Sequence, residues 1–310
     1  LKSIGYQAFY GAKSLANITI PANVTSIGEY AFKLASALTS INIPAQVTII
    51  NTQTFSDATS LATVTFEAGS QLESIGAGAF AYATSLTSIT IPATVTSIGA
   101  GAFNISGITD VLYNEDSTML IYYPPSLTAD NFEIPTTVTS IGIYAFSRAS
   151  SLTSITVESG NNKYSSDNGV LFNKTGTILI QYPVGNDATS YEIPANVESI
   201  GDYAFQGATS LTTVTFEAVS KLTSIGENAF RDTTALTSIT IPASVTSIGA
   251  SAFEDSSLTT VYIANGQLTD ITSPQEGGVS FFGTDNVTTI LPTGGGTGGG
   301  TGGGTGGGTG

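Results

Sequence analysis

The sequence predicts a β-rich solenoid, in which coils of about 23 residues stack to bring parallel strands and tight turns into register. Three observations predict it. An Ile-Gly-x-x-Ala-Phe hexad recurs along most of the chain. Aliphatic and hydroxyl side chains alternate before most copies, the period of a half-buried strand. The turn chemistry between them leaves no room for a helix longer than about two turns.

The hexads place Phe at 9, 32, 55, 80, 103, 146, 205, 230 and 253, with spacings of 23, 23, 25, 23, 43, 59, 25 and 23 residues. One unit reads LTSITIPATVTSIGAGAFAYATS from Leu86. Ile89 and Ile91 alternate with Ser88 and Thr90, and Pro92 ends the strand by removing a ladder donor. Val95 and Ile98 belong to a second short extended piece, Gly99 or Gly101 supplies the turn, and Ala102-Phe103 points inward on a short turn or 3₁₀ helix. A single coil buries too little to offset its ordering entropy, so stability must come from stacking.

The 43- and 59-residue spacings hold two insertions, over about 111–135 and 158–194. VLYNEDSTMLIYYP from Val111 aligns without a gap to VLFNKTGTILIQYP from Val170, and each reads as a hairpin with a polar turn. After Phe253 the pattern decays, with strands expected around Leu258–Ile263 and Val287–Pro292 and a capping loop around Gly277-Gly278 and Phe281-Phe282. Residues 1–292 form the expected solenoid, and 293–310 a flexible Gly/Thr linker. The start inside a repeat at Leu1 and the GGGT tail are read as cuts through a longer protein.

Composition limits the chemistry. With no Cys and no His, disulfides, Cys/His zinc sites and catalysis by either residue are excluded. The net charge of −15 opposes a phosphate backbone, so no nucleic-acid partner is expected. No apolar run reaches the length of a transmembrane helix. Only 10% of residues are charged, so Ser, Thr, Asn and Gly must cover the surface, which points to an extracellular or cell-surface setting.

The unit LTSITIP-x-x-VTSIG-x-x-AF resembles the BspA-type leucine-rich repeat, and the segment from Asn162 to Phe205 resembles the longer unit of that family. The resemblance covers about residues 1–263. It departs from the family in one place: the usual Cys after the Ala-Phe turn is replaced by Ala12, Ala35, Ala58, Ala83, Ala149 and Ala208, and by Thr233. It implies a leucine-rich-repeat solenoid in a surface-exposed or secreted protein, several relatives being adhesins.

Catalysis is not expected: Glu115, Asp116, Asp167, Asp187, Glu192 and Asp202 fall in turns or on strand edges without a pairing motif. No cofactor or metal is expected either. Asn161, Asn162, Asp167 and Asn168 have oxygen ligands that would suit Ca²⁺, but they match no calcium loop and read as a polar turn. The candidate binding face is the outward side of the main strands: Thr63, Thr65, Ser88, Thr90, Ser154, Thr156, Thr213, Thr215, Ser238 and Thr240, expected as two columns on one parallel sheet. Tyr122 and Tyr123 are candidates for a discrete contact, since adjacent strand residues face opposite sides. The expected function is a non-catalytic adhesion module for a protein or glycan on another surface. The alternative is a stalk or self-assembling filament subunit, whose open edges would template association.

Overall fold

A computed structural model describes residues 1–263, with the strands Asp270–Ile271 and Thr288–Ile290 beyond them. The expected linker and the expected capping loop around Gly277-Gly278 and Phe281-Phe282 lie outside the described residues. Among the described residues there is no helix, α or 3₁₀; the Ala-Phe bend is built from hydrogen-bonded turns.

Each regular coil contributes a two-residue Ser-Ile or Ile-Ile strand that pairs in parallel with its equivalents. One run joins Ile4, Ile27, Ile50, Ile75 and Ile98, and another joins Leu179, Ile200, Ile225, Ile248 and Ile271. The hexad's two glycine candidates have separate roles. Gly99 is needed for coil-to-coil approach, because a Cβ there would lie 2.3 Å from the backbone nitrogen of Ala77. The bend itself falls at the second x, where Gly101 has φ +61 and Tyr30, Gln53, Tyr203 and Ser251 hold φ between 50 and 59.

The phenylalanines form stacked columns. Neighbouring rings from Phe9 to Phe103 are 5.0–5.4 Å apart and within 12° of parallel. A second column runs Tyr182, Phe205, Phe230, Phe253 at 4.8–5.3 Å. Each offset stack adds a specific aromatic contact to a large area of buried ring.

The two insertions fold as antiparallel hairpins inside the stack, Leu112–Tyr113 with Met119–Tyr122 and Val170–Asn173 with Ile178–Gln181. The second carries a further strand, Tyr164–Asp167. Their strands divide the apolar interior into three consecutive segments. Met119, Ile121 and Tyr122 pack toward the N-terminal segment, whereas Leu120 and Tyr123 pack toward the middle one. This overturns the expectation that Tyr122 or Tyr123 points outward: they are 4% and 1% exposed. The alternation rule presumes one wet face, and this strand is covered on both. Tyr123 and Tyr182 occupy the Phe slot of their short coils, with hydroxyls buried and without a hydrogen-bond partner.

Candidate binding clefts on the hydroxyl face

The outward hydroxyls lie on short ladders and not on one sheet, which corrects the sequence expectation. Among the described residues, Ser40–Ile43 pairs only with Thr63–Phe66, Asn131–Ile134 with Ser154–Val157, and Ser190–Ile193 with Thr213–Phe216. Ser238–Ile241 starts a separate ladder with Thr260–Ile263. Ser88 and Thr90 are exposed but belong to no named strand; Ile91 alone makes a bridge, to Asn114.

The breaks follow coil length. The two 25-residue spacings, Phe55 to Phe80 and Phe205 to Phe230, each follow TVTF with a turn two residues longer than its neighbours. That turn is tied to the preceding coil. Glu217 Oε2 accepts the Ala195 amide at 2.9 Å, and Glu67 Oε2 accepts the Ala45 amide at 3.2 Å. The backbone follows the same course, with Lys221 N–H donating to Ala195 O and Gln71 N–H to Ala45 O. Held to the coil before, the long turn is out of register with the shorter coil after it, and a cleft opens between them.

The cleft after Thr213–Phe216 has a volume of about 670 Å³, with Thr213, Thr215, Phe216, Glu217 and Val219 on one wall and Ser238, Ile239, Thr240 and Pro242 on the other. Among the described residues, none of the hydroxyls of Thr213, Thr215, Ser238 and Thr240 makes a hydrogen bond. Ser244 Oγ donates to Ser220 O at 3.2 Å and bridges the two walls at one end. In the preceding coil, where Tyr191 packs inward against Tyr182 and Phe205, burial and then the negative charge of Asp167 raise its pKa, with Tyr182 and Glu217 adding to the rise, so its hydroxyl stays protonated. Val219 is 91% exposed and holds φ 63. For a β-branched residue that conformation costs about 1–2 kcal/mol, and an exposed side chain returns nothing for it.

A sister cleft of about 520 Å³ lies 150 residues earlier, between Val64–Ser70 and Thr90–Thr94. It repeats the Thr, Phe, Glu and Pro positions as Thr65, Phe66, Glu67 and Pro92, with Gly69 in place of Val219. Here Thr65 Oγ1 donates to Asn42 Oδ1 at 2.9 Å, so one hydroxyl is already engaged. Thr63 stands exposed at its edge.

Ser154 and Thr156 are brought to neither cleft. The chain's own second hairpin covers their strand edge: the Ile155 amide donates to Gly169 O at 2.8 Å, and both hydroxyl residues are half-buried. The Asn161 reading as a polar turn also gains a physical account. Its side chain is 1% exposed, donates to Pro135 O and Val138 O, and accepts the amides of Lys163 and Tyr164. Among the described residues no three acidic side chains gather to hold a metal ion, and no helix is long and apolar enough to cross a membrane.

The profile of the BspA type Leucine rich repeat region matches residues 1–109, 121–178 and 184–290, in six copies. Among solved structures, a leucine-rich repeat protein from Eubacterium ventriosum is 28% identical with a TM-score of 0.53, over 80% of this chain and 60% of that one. This chain therefore spans less than two thirds of that protein. The pneumococcal vaccine antigen PcpA shares the fold at 24% identity and a TM-score of 0.51, over 86% of this chain and 68% of that one. A leucine rich cell surface protein from Faecalibacterium prausnitzii shares it at 24% identity and a TM-score of 0.50, over 93% and 83%. A search of curated proteins returned no match.

Proposed function

Since the chain belongs to the BspA-type leucine-rich-repeat family, we propose that it is a non-catalytic binding and adhesion module. In this reading it works at a cell surface or outside the cell and presents its hydroxyl face to a protein or glycan partner. One observation carries the reading: four unengaged hydroxyls, of Thr213, Thr215, Ser238 and Thr240, converge on one cleft beside apolar Phe216, Ile239 and Val219. Apolar floor with a few convergent polar groups is the usual make-up of a recognition site. The low charge and the hydroxyl-rich surface support the extracellular setting. The Faecalibacterium protein is described as a cell surface protein, which agrees with it.

A glycan array and a pull-down from surface-protein extracts, each run with the native chain and with a Thr213→Ala/Thr215→Ala/Ser238→Ala/Thr240→Ala variant, test the proposal. Binding by the native chain that falls at least tenfold in the variant supports it. No binding in either format, or equal binding by both chains, contradicts it.

A further inference from the structure

A third cleft lies at the Ala-Phe bends, away from the hydroxyl ladders, and the two short coils make it. From Leu179 to Tyr182 the chain advances three residues over a bend for which the paired coil, Ile200 to Phe205, uses five. Leu120 to Tyr123 is shortened in the same way against Ile141 to Phe146. Two residues fewer leave each short bend recessed between its neighbours. A groove of about 730 Å³ opens over Val184-Gly185, with Asn104 at one end and Arg231 and Asp232 at the other. Tyr144 lines it and reaches over the second short coil to Tyr203, the ring centroids 4.0 Å apart.

Arg148 and Arg231 are the two arginines of the chain, and both line this groove. They are not equivalent. Arg231 is already engaged, with Glu254 at 2.8 Å, Asp255 at 3.1 Å and Asp232 at 3.8 Å. Among the described residues the Arg148 guanidinium has neither an ion pair nor a hydrogen bond. The Arg148 amide is unpartnered as well, for the reason that opens the groove. In regular coils the amide two places after the Phe donates to the next coil: Asp57 N–H to Ala81 O and Gly207 N–H to Arg231 O, both at 2.9 Å. After Phe146 the next coil is short, and among the described residues Arg148 N–H has no acceptor.

The first short coil shows what suits that position. There the equivalent amide is that of Ile105, and the Tyr122 hydroxyl lies against it: burial raises the pKa of Tyr122, while the Ile105 amide and then Arg148 lower it. The second short coil has Gln181 in place of Tyr122, and its side chain turns to Tyr182 O and Ala204 O instead. Arg148 therefore presents open donors where the first copy has supplied an oxygen. Around them, the side chains of Asn104, Ser147, Ser150, Thr209 and Ser210 make no hydrogen bond among the described residues. Unengaged amides and hydroxyls suit a polyhydroxylated ring better than the apolar side chains of a peptide.

We propose that this groove is a second binding site, for an acidic sugar whose carboxylate is held by the Arg148 guanidinium and whose hydroxyls meet the amide and hydroxyl side chains. It goes beyond the hydroxyl-face reading and does not depend on it. A guanidinium fork accepts a carboxylate through two parallel N–H bonds. The net charge of −15, with three carboxylates gathered on Arg231, disfavours a densely charged ligand. The fitting partner thus carries one carboxylate at the Arg148 end and neutral sugar toward Asp232. Uronic and sialic acids share this chemistry.

The probes are a sialylated trisaccharide, a trisaccharide ending in a uronic acid, the neutral counterpart of each, and a sulfated trisaccharide. Each is titrated into the isotope-labelled full chain and read at the Arg148 side-chain and backbone N–H signals. At least one acidic sugar should shift both signals, with its neutral counterpart bound about tenfold more weakly or less. Which acidic sugar is held identifies the source of the carboxylate. Arg148→Gln should weaken acidic-sugar binding by about tenfold and Arg148→Lys by less, since Lys keeps the charge and loses the fork. Both variants should unfold at the native denaturant midpoint, because the side chain is exposed and unpaired. The Thr213→Ala/Thr215→Ala/Ser238→Ala/Thr240→Ala variant should bind the acidic sugar as the native chain does, which keeps this site's outcome separate from the hydroxyl-face reading. No shift at Arg148 with either acidic sugar, equal binding of the neutral counterparts, preference for the sulfated sugar, or loss of binding in the four-hydroxyl variant overturns the proposal.

Discussion

Two intervals of this stack begin with nearly the same strand and are finished differently. After Ser154–Val157 the chain lays its own hairpin against the free edge and takes up the Ile155 amide. After Thr213–Phe216 it makes a long turn, resumes a shorter coil, and leaves the edge at Val214 and Phe216 open. The Glu cap is common to both, at Glu158 and Glu217, so it does not decide the outcome. What decides it is the length of chain after the cap. An insertion long enough to return as a hairpin brings the carbonyl of its Asn168-Gly169 turn to the edge, whereas two extra residues only displace the next coil. A solenoid can therefore create a cleft with a very small change in repeat length, without disturbing the aromatic column beneath it.

That last point gives the largest expected effect. Phe230 is fully buried between Phe205 and Phe253, at 4.8 and 5.3 Å, directly below the open interval. Phe230→Ala should lower unfolding free energy by about 3–5 kcal/mol in denaturant titration. A cost below about 1 kcal/mol would mean that the column does not continue under the cleft. On the filled side, Gly169→Ala should cost about 2–3 kcal/mol, since the residue has φ +78 and its Cβ would meet Ser154. An unchanged midpoint would show that the hairpin is not seated on the edge.

Tyr182, in the same insertion, offers a pH test. Burial, with a smaller contribution from Asp187, raises its hydroxyl from 10.0 to about 12. The folded chain favours the neutral form, so this contribution is fully present below pH 10 and is lost as pH rises toward 12. Tyr182→Phe should flatten the alkaline fall in stability by on the order of 2 kcal/mol. It should also stabilise the chain by about 1 kcal/mol at neutral pH, because the hydroxyl it removes is buried without a partner. Identical alkaline profiles would refute the burial of that hydroxyl. The smallest effect has the opposite sign to Gly169→Ala. Val219→Gly restores the residue that the sister cleft has at Gly69 and should stabilise by about 0.5–1 kcal/mol. Destabilisation would show that Val219 is held by contacts rather than strained.

Much of the fold was legible because the hexad is self-sufficient: Ile, Gly, Ala and Phe have local roles that repeat from Ile4 to Phe253 whatever lies between. The hairpins were legible for the same reason, since each is an apolar-polar-apolar segment that pairs with itself. The burial of Tyr122 and Tyr123 was not legible. It depends on the chain leaving the strand at Pro124 and on a covered second face, which alternation cannot show. The clefts carried a signal that went unused, the two 25-residue spacings after TVTFEA, 150 residues apart. Spacing alone does not say which neighbour a longer turn will follow. That is settled by the carboxylates of Glu67 and Glu217 reaching back to Ala45 and Ala195, a contact between coils.

The open edge is tested most directly by native-state amide exchange along one strand of the free chain. Thr213, Thr215 and Glu217 should be protected while Val214 and Phe216, in the same strand, exchange far faster; Ile155, beneath the hairpin, should be as slow as its neighbours. Uniform protection from Thr213 to Glu217 would contradict the account, because it would place a hydrogen-bonded partner where the structure has a cleft.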